Sequence, residues 1–299
     1  NAGTTCTGTP ITFTITVNPT PTVNSVPNQV VCNGAPTTAV TFSGAVAGTV
    51  YNWTNNTTSI GLAASGTGNI ASFNAINTGT APVTATITVT PSYTNAGTTC
   101  TGTPITFTIT VNPTPTVNSV PNQVVCNGAP TAAVTFSGAV PGTVYNWTNN
   151  TTSIGLAASG TGNIASFNAI NTGTAPVTAT ITVTPSYTNG GTTCIGTPTT
   201  FTITVNPTPT VNSVPNQVVC NGAPTTAVTF SGAVPGTVYN WTNNTTSIGL
   251  AASGTGNITS FNAINTSTAP VTATIIVTPS YTNAGTTCTG TPITFTITV

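Results

Sequence analysis

Residues 82–94 read PVTATITVTPSYT, a run in which Val83, Ala85, Ile87 and Val89 alternate with Thr84, Thr86, Thr88 and Thr90. Alternation at period two puts the apolar side chains on one face of an extended chain and the hydroxyls on the other, the pattern of a half-buried β-strand. The run is rich in β-branched residues, which suit a pleated strand. Residues 105–111 repeat the scheme, with Ile105, Phe107, Ile109 and Val111 set against Thr106, Thr108 and Thr110. Further strands are expected at 22–31, 39–46, 49–54 and 69–76, with a weaker one near 59–63, each bounded by Gly, Pro or Asn. No stretch carries a helical period with caps.

These strands recur. Cys6, Cys100, Cys194 and Cys288 step by 94 residues, as do Cys32, Cys126 and Cys220, the tryptophans Trp53, Trp147 and Trp241, and the NPTP at 18–21, 112–115 and 206–209. Three repeats follow, at 18–111, 112–205 and 206–299, and residues 1–17 match 95–111 and 283–299 letter for letter. The chain is therefore expected to open on the closing strand of a further repeat. Copies this similar are expected to do one job, so the function should belong to the array.

Seven or so short strands in fewer than 100 residues fit a two-sheet sandwich. The fold expected is all-β, a tandem, extended array of immunoglobulin-like domains. Trp53, Trp147 and Trp241 fall on the third strand, where they should be core. Asn33-Gly34 signals a hairpin joining the first strand to the second. The prolines of NPTP prefer extended backbone, so that segment reads as a stiff spacer.

Composition removes functions. The 299 residues include no Lys, Arg, Asp, Glu, His or Met. General acid–base catalysis, triad-type nucleophiles and metal-assisted hydrolysis need carboxylates, imidazoles or amines, so an ordinary enzyme is excluded. Phosphate neutralisation needs Lys or Arg, which excludes nucleic acid as a partner. No cofactor is implied, and a metal site is not expected, since two Cys per repeat do not complete a tetrahedral shell. No signal peptide or membrane span lies within these residues. An uncharged surface lacks the repulsion that keeps molecules apart, so the expected partner is the protein itself, in a fibre or array.

The segments VCNGAPTTAVTFSGAVAGTVYNW (31–53), GLAASGTGNI (61–70), PVTATITVTP (82–91) and CTGTPITFTITVNPTP (100–115) resemble the PKD-like, immunoglobulin-like repeats of secreted surface proteins of Bacteroidetes, including gliding-motility adhesin-type proteins. The resemblance covers each whole repeat. It implies a β-sandwich module, export to the cell surface and a role as stalk, adhesin or filament, with no catalytic residues to carry over.

Cysteines at fixed phase in a chain of secreted character read as a disulfide framework whose connectivity the sequence leaves open. Pairs 68 apart (Cys32–Cys100, Cys126–Cys194, Cys220–Cys288) lie within a repeat and leave Cys6 alone. Pairs 26 apart (Cys6–Cys32, Cys100–Cys126, Cys194–Cys220) staple the end of one repeat to the start of the next, and pairs 162 apart (Cys32–Cys194, Cys126–Cys288) link a repeat to its successor. Cys100 is expected in the last loop of the sandwich, at the end opposite Cys32, which weakens the first register.

Covalent glycans are a second expectation. Asn52, Asn55 and Asn56 head three overlapping acceptor motifs, repeated at Asn146, Asn149, Asn150 and at Asn240, Asn243, Asn244, with Asn265 added in the third copy. The leading functional reading is a structural segment of an extracellular filament or stalk, passive and resistant to pH and proteases. The alternatives are an adhesin that binds glycans through its Asn- and aromatic-containing loops and, from the ranks of Thr, an ice-binding face. Sheet twist argues against the last.

Overall fold

The structure, a computed structural model, describes residues 2–3 and 5–299; Asn1 and Thr4 of the opening segment lie outside them. The first repeat contains β1 (Gln29–Cys32), β2 (Val50–Asn55), β3 (Ser65–Thr67), β4 (Val83–Asn95), β5 (Thr98–Thr101) and β6 (Ile105–Asn112). The second contains β7 (Gln123–Cys126), β8 (Val144–Asn149), β9 (Ser159–Thr161), β10 (Val177–Asn189), β11 (Thr192–Ile195) and β12 (Thr199–Asn206). The third contains β13 (Gln217–Val218), β14 (Val238–Asn243), β15 (Ser253–Thr255), β16 (Thr272–Asn283), β17 (Thr286–Thr289) and β18 (Ile293–Thr298).

Each repeat builds one sheet in the order β1-β6-β4-β2-β3 or its equivalent, with the β5 counterpart on β4. β1 runs parallel to β6, pairing Gln29 with Ile109 and Cys32 with Asn112. β4 runs antiparallel to both β6 and β2. The facing layer consists of two extended segments joined by the bridges Pro36–Asn74 and Val40–Ile70. A first strand parallel to the last, and a second segment crossing to pair in the other layer, make each repeat an immunoglobulin-like sandwich.

The alternation in 82–94 decides which face is inside. Ala85, Ile87 and Val89 are fully buried, as are Phe107, Ile109 and Val111 opposite them, and Val40, Phe42, Ile70 and Ala75 close the core from the other layer. The three cores have corresponding members and each lies within one repeat. Trp53 is 8% exposed against Gly66, where an added Cβ would lie 2.2 Å from the indole. Trp147 and Trp241 are packed against Gly160 and Gly254 in the same way. The buried Nε1 of each tryptophan has no hydrogen-bond partner among the described residues.

The Thr ranks of β4 and β6 are neighbours in one sheet. Thr84 faces Thr110, Thr86 faces Thr108 and Thr88 faces Thr106. Thr84 and Thr110 share a hydroxyl–hydroxyl bond of 2.9 Å, so part of this polarity ties strands together. In the third repeat Ile276, 43% exposed, interrupts the rank.

Four expectations change. The segments 39–46 and 69–76 are reduced to isolated bridges because side chains take ladder positions: Asn69 Oδ1 accepts from Phe42 N at 3.0 Å and Thr37 Oγ1 from Phe73 N at 3.1 Å. The strand at 22–31 begins only at Gln29, since Thr22 Oγ1 accepts from Ala45 N and Asn28 Oδ1 from Thr108 N. The strand near 59–63 is a 3₁₀ turn, Thr58–Ile60, closed by Gly61 at φ 95°. Asn33-Gly34 turns the chain between layers, because β1 pairs with β6 and not with the second segment.

The opening segment stands by itself. Its described residues join no sheet, and Ile11, Phe13, Ile15 and Val17 are 80–96% exposed. It has the sequence of β6 but no counterpart of β1 or β4 on either side. By compactness the chain divides into one unit of Asn1–Pro115, Val140–Gly142 and Tyr187–Ile195, and a second of Thr116–Ala139, Thr143–Ser186 and Gly196–Val299. The first unit therefore includes a hairpin from the second repeat.

Candidate functional site

That hairpin is the feature most developed beyond the sandwich. β4 runs 13 residues, leaves β6 at Val89 and then takes β5 as its neighbour, pairing Tyr93 with Cys100 and Asn95 with Thr98. Pro91 sits at the changeover, facing the break between β6 and β5, where its missing N–H costs no ladder bond. Gly102 N donates to the Pro91 carbonyl at 2.9 Å. A Cβ on Gly102 would fall 1.8 Å from the Pro21 carbonyl oxygen, so only glycine lets the chain leave the hairpin here. The tip turns through Ala96 (φ 47°) and Gly97 (φ 80°), both left-handed, as a two-residue turn of primed type requires.

In the second and third repeats the hairpin reaches back onto the preceding repeat. Cys32 is bonded to Cys194 and Cys126 to Cys288, each with Cα atoms 5.5 Å apart. Around the first bond, Thr192 Oγ1 donates to the Val30 carbonyl at 3.0 Å. Asn112 Nδ2 donates to the Asn189 carbonyl at 3.1 Å, and Asn189 Nδ2 returns a bond of 2.9 Å to Asn112 Oδ1. Thr286 and Val124 repeat the first contact, and Asn206 and Asn283 repeat the amide pair. Asn112 and Asn206 are fully covered, and Pro113 and Pro207 beside them are buried.

Strand register explains why the cysteines pair this way. Cys32 lies level with Asn112, and Val83 with Val111, whereas Cys100 lies level with Tyr93. Ten residues along β4 at about 3.3 Å each hold the two cysteines roughly 30 Å apart, so the within-repeat register cannot close. Cys100 is on a strand rather than in the last loop. Cys6, Cys100 and Cys220 are free, which leaves the 26-residue register unused.

Of the candidate glycan acceptors, Asn55, Asn149 and Asn243 are 6–7% exposed. Asn55 Nδ2 donates to the Leu62 carbonyl at 3.0 Å and its Oδ1 accepts from Thr57 N, so a sugar there would break the bonds that fold the loop. Asn149 and Asn243 repeat both contacts. Asn265 is also committed, with Nδ2 on the Val299 carbonyl at 2.7 Å. The exposed acceptors are Asn52, Asn146 and Asn240 on the strand, and Asn56, Asn150 and Asn244, whose Oδ1 atoms accept from the next strand.

Four of the seven cysteines are held in disulfides and do not titrate. Burial raises the phenol pKa of Tyr145 and of Tyr239, each packed 5.7 Å from the ring of Phe136 or Phe230. Among the described residues no group of three or more potential metal ligands occurs. Sequence reasoning did not find the β5 arm, although Gly190-Gly191 in the second repeat carries its turn signal.

No protein-family model matches the chain, and comparison with curated proteins gives no match. Among solved structures, mouse Protocadherin-24 EC1-3 is similar at a TM-score of 0.38 and 14% identity, over 94% of this chain and 99% of that one. The human Desmocollin-1 ectodomain gives 0.33 and 10% over 93% of this chain, which spans 61% of its length. Drosophila N-cadherin EC1-4 gives 0.31 and 12%, over 91% of this chain and 73% of that one. The immunoglobulin-like assignment rests on the strand order of each repeat.

Proposed function

We propose that the chain is a segment of an extracellular stalk or filament, of the PKD-like type that its sequence resembles, and that its role is mechanical. The observation that carries this reading is the clasp: each successive repeat is tied to its predecessor by a disulfide and a hydroxyl–carbonyl bond made by equivalent residues, beside a reciprocal amide pair that holds the hairpin to the linker. A device repeated at successive junctions limits hinge motion between repeats and adds no binding surface. Disulfides persist in oxidising surroundings, which fits a place outside the cell. Among the described residues no helix is long and apolar enough to cross a membrane.

Absent charge suits the same role. Without Lys or Arg there is no trypsin site, and without carboxylates or imidazoles no side chain titrates across the acidic and neutral range. Electron microscopy of native material tests the reading: fibres built from this chain support it. Isolated monomers that engage a glycan array would replace it with the adhesin reading.

A further inference from the structure

Each of the two disulfides spans 162 residues, whereas the repeat is 94 residues long. The loops they close therefore overlap: Cys126 falls inside the Cys32–Cys194 loop, and Cys194 inside the Cys126–Cys288 loop. Followed bond by bond, the chain has two covalent junctions, one at each disulfide. Three backbone segments run between them, 33–125, 127–193 and 195–287. Bonds within each repeat, the 68-residue register, would instead close three separate loops in series.

We propose that the overlap makes this chain a three-stranded covalent tether, in which residues before Cys32 stay joined to residues after Cys288 until all three segments are cut. This rests on the mechanical reading above and adds tolerance of damage to it. The chain has no Lys, Arg, Asp or Glu, but its ten Phe, six Tyr and three Trp leave sites for a chymotrypsin-like protease. A single cut between Cys32 and Cys288, wherever it falls, leaves two of the three segments whole and releases nothing. Bonds of the 68-residue register would tolerate no cut in the stretches between their loops, 101–125 and 195–219.

The shortest segment also caps the stretch. Along the backbone Cys32 and Cys288 are 256 residues apart, but the way through 127–193 crosses 68. At about 3.4 Å per extended residue that is roughly 230 Å instead of about 870 Å. In the folded chain this length is stored. The middle segment carries β8 to β10, with Trp147, Ile181 and Val183 of the second core, while Phe201 and Ile203 of the same core stand on β12 in the third segment. The pairs from Val177–Val205 to Val183–Thr199 join β10 to β12, so the tether lengthens only after the second sandwich opens.

Because the chain has no Lys or Arg, one introduced Arg gives one trypsin site. Thr80, Thr174 and Thr268 are equivalent exposed residues, one in each segment. The full chain, its free thiols alkylated first, is cut with trypsin and run under denaturing, non-reducing conditions. Thr80→Arg, Thr174→Arg and Thr268→Arg, singly or in any pair, should keep the mass of the uncut chain, and reduction should release the fragments. The triple variant should fall into two pieces, 1–80 with 175–268 and 81–174 with 269–299. Separation after a single cut, or a triple-cut chain that stays whole as within-repeat bonds would keep it, would overturn the proposal.

Stretching single molecules of the unsubstituted chain by terminal tags gives a second reading. Reduction should lengthen the fully extended chain by about 640 Å, and equal lengths before and after it would overturn the tether. Electron microscopy judges the filament reading separately. The expected cutting pattern in material that never forms fibres would support the tether and overturn the filament, and fibres built from a chain that separates at one cut would do the reverse.

Discussion

The hairpin carrying Cys100 and the hairpin carrying Cys288 are the same 17 letters in the same fold, yet Cys288 is 2% exposed and Cys100 is half-buried with a free thiol. The difference comes from the preceding β1-type strand, present beside one and absent beside the other. Linker burial follows: Pro113 and Pro207 are covered where Pro19 is exposed. Val140 and Val234 are 3% exposed where the equivalent Val46 is half-buried. Each repeat folds its own core, and the polar residues at its ends are spent on its neighbour.

Matched substitutions at clasped and open positions should therefore diverge. Cys288→Ser opens a bond spanning 162 residues, which the loop-entropy argument values at about 5 kcal/mol. Calorimetry should show melting lowered by roughly 10 °C, while Cys100→Ser leaves it unchanged. Equal effects would mean that the clasp contributes nothing. Asn112→Ala comes next. Asn112 is 0% exposed, and its removal strands the Asn189 amide, at about 2–3 kcal/mol in denaturant unfolding. Asn18→Ala removes the same pair at a half-buried site and should cost less than about 1 kcal/mol.

How much of this the sequence could reveal depends on how local the signal was. The alternation of 82–94 and 105–111 identified β4 and β6 because each residue's face follows from its own position. The segments 39–46 and 69–76 share that apolar pattern, but Thr37 and Asn69 divert backbone bonds, and a hydroxyl or amide that will accept from a backbone N–H looks in sequence like any polar residue. The clasp was legible only as one of three cysteine registers. Choosing among them needs the distance between Cys32 and Cys100, set by the 13-residue length of β4, and the β5 arm hides in Thr-rich sequence without apolar alternation. Asn55 likewise reads as an acceptor motif until its amide is seen closing the loop on Leu62.

A finer comparison isolates one hydroxyl. Thr192→Val removes the bond from Oγ1 to the Val30 carbonyl while keeping the side-chain shape. The loss should be about 1 kcal/mol, read as faster amide hydrogen exchange confined to 187–195. Thr98→Val alters the same position where no β1-type strand lies opposite, and exchange in 93–101 should stay as it was. Acceleration in both hairpins would place the effect in the turn rather than in the clasp.

The smallest effect concerns pH. Burial raises the Tyr145 and Tyr239 phenols above their ordinary value of 10.0. Between that value and the raised one the folded chain holds protons the unfolded chain has lost, so stability falls with rising pH. The contribution is fully present below pH 10 and disappears as pH climbs through the folded-state values. Below it, no carboxylate, imidazole or amine side chain exists to titrate. Unfolding midpoints of the disulfide-bonded chain should be level from about pH 4 to 9 and drop only in strong alkali. Tyr145→Phe should flatten part of that drop without moving the plateau, because the phenol is neutral throughout it. A slope on the acid side would require a titrating side chain that this sequence does not contain.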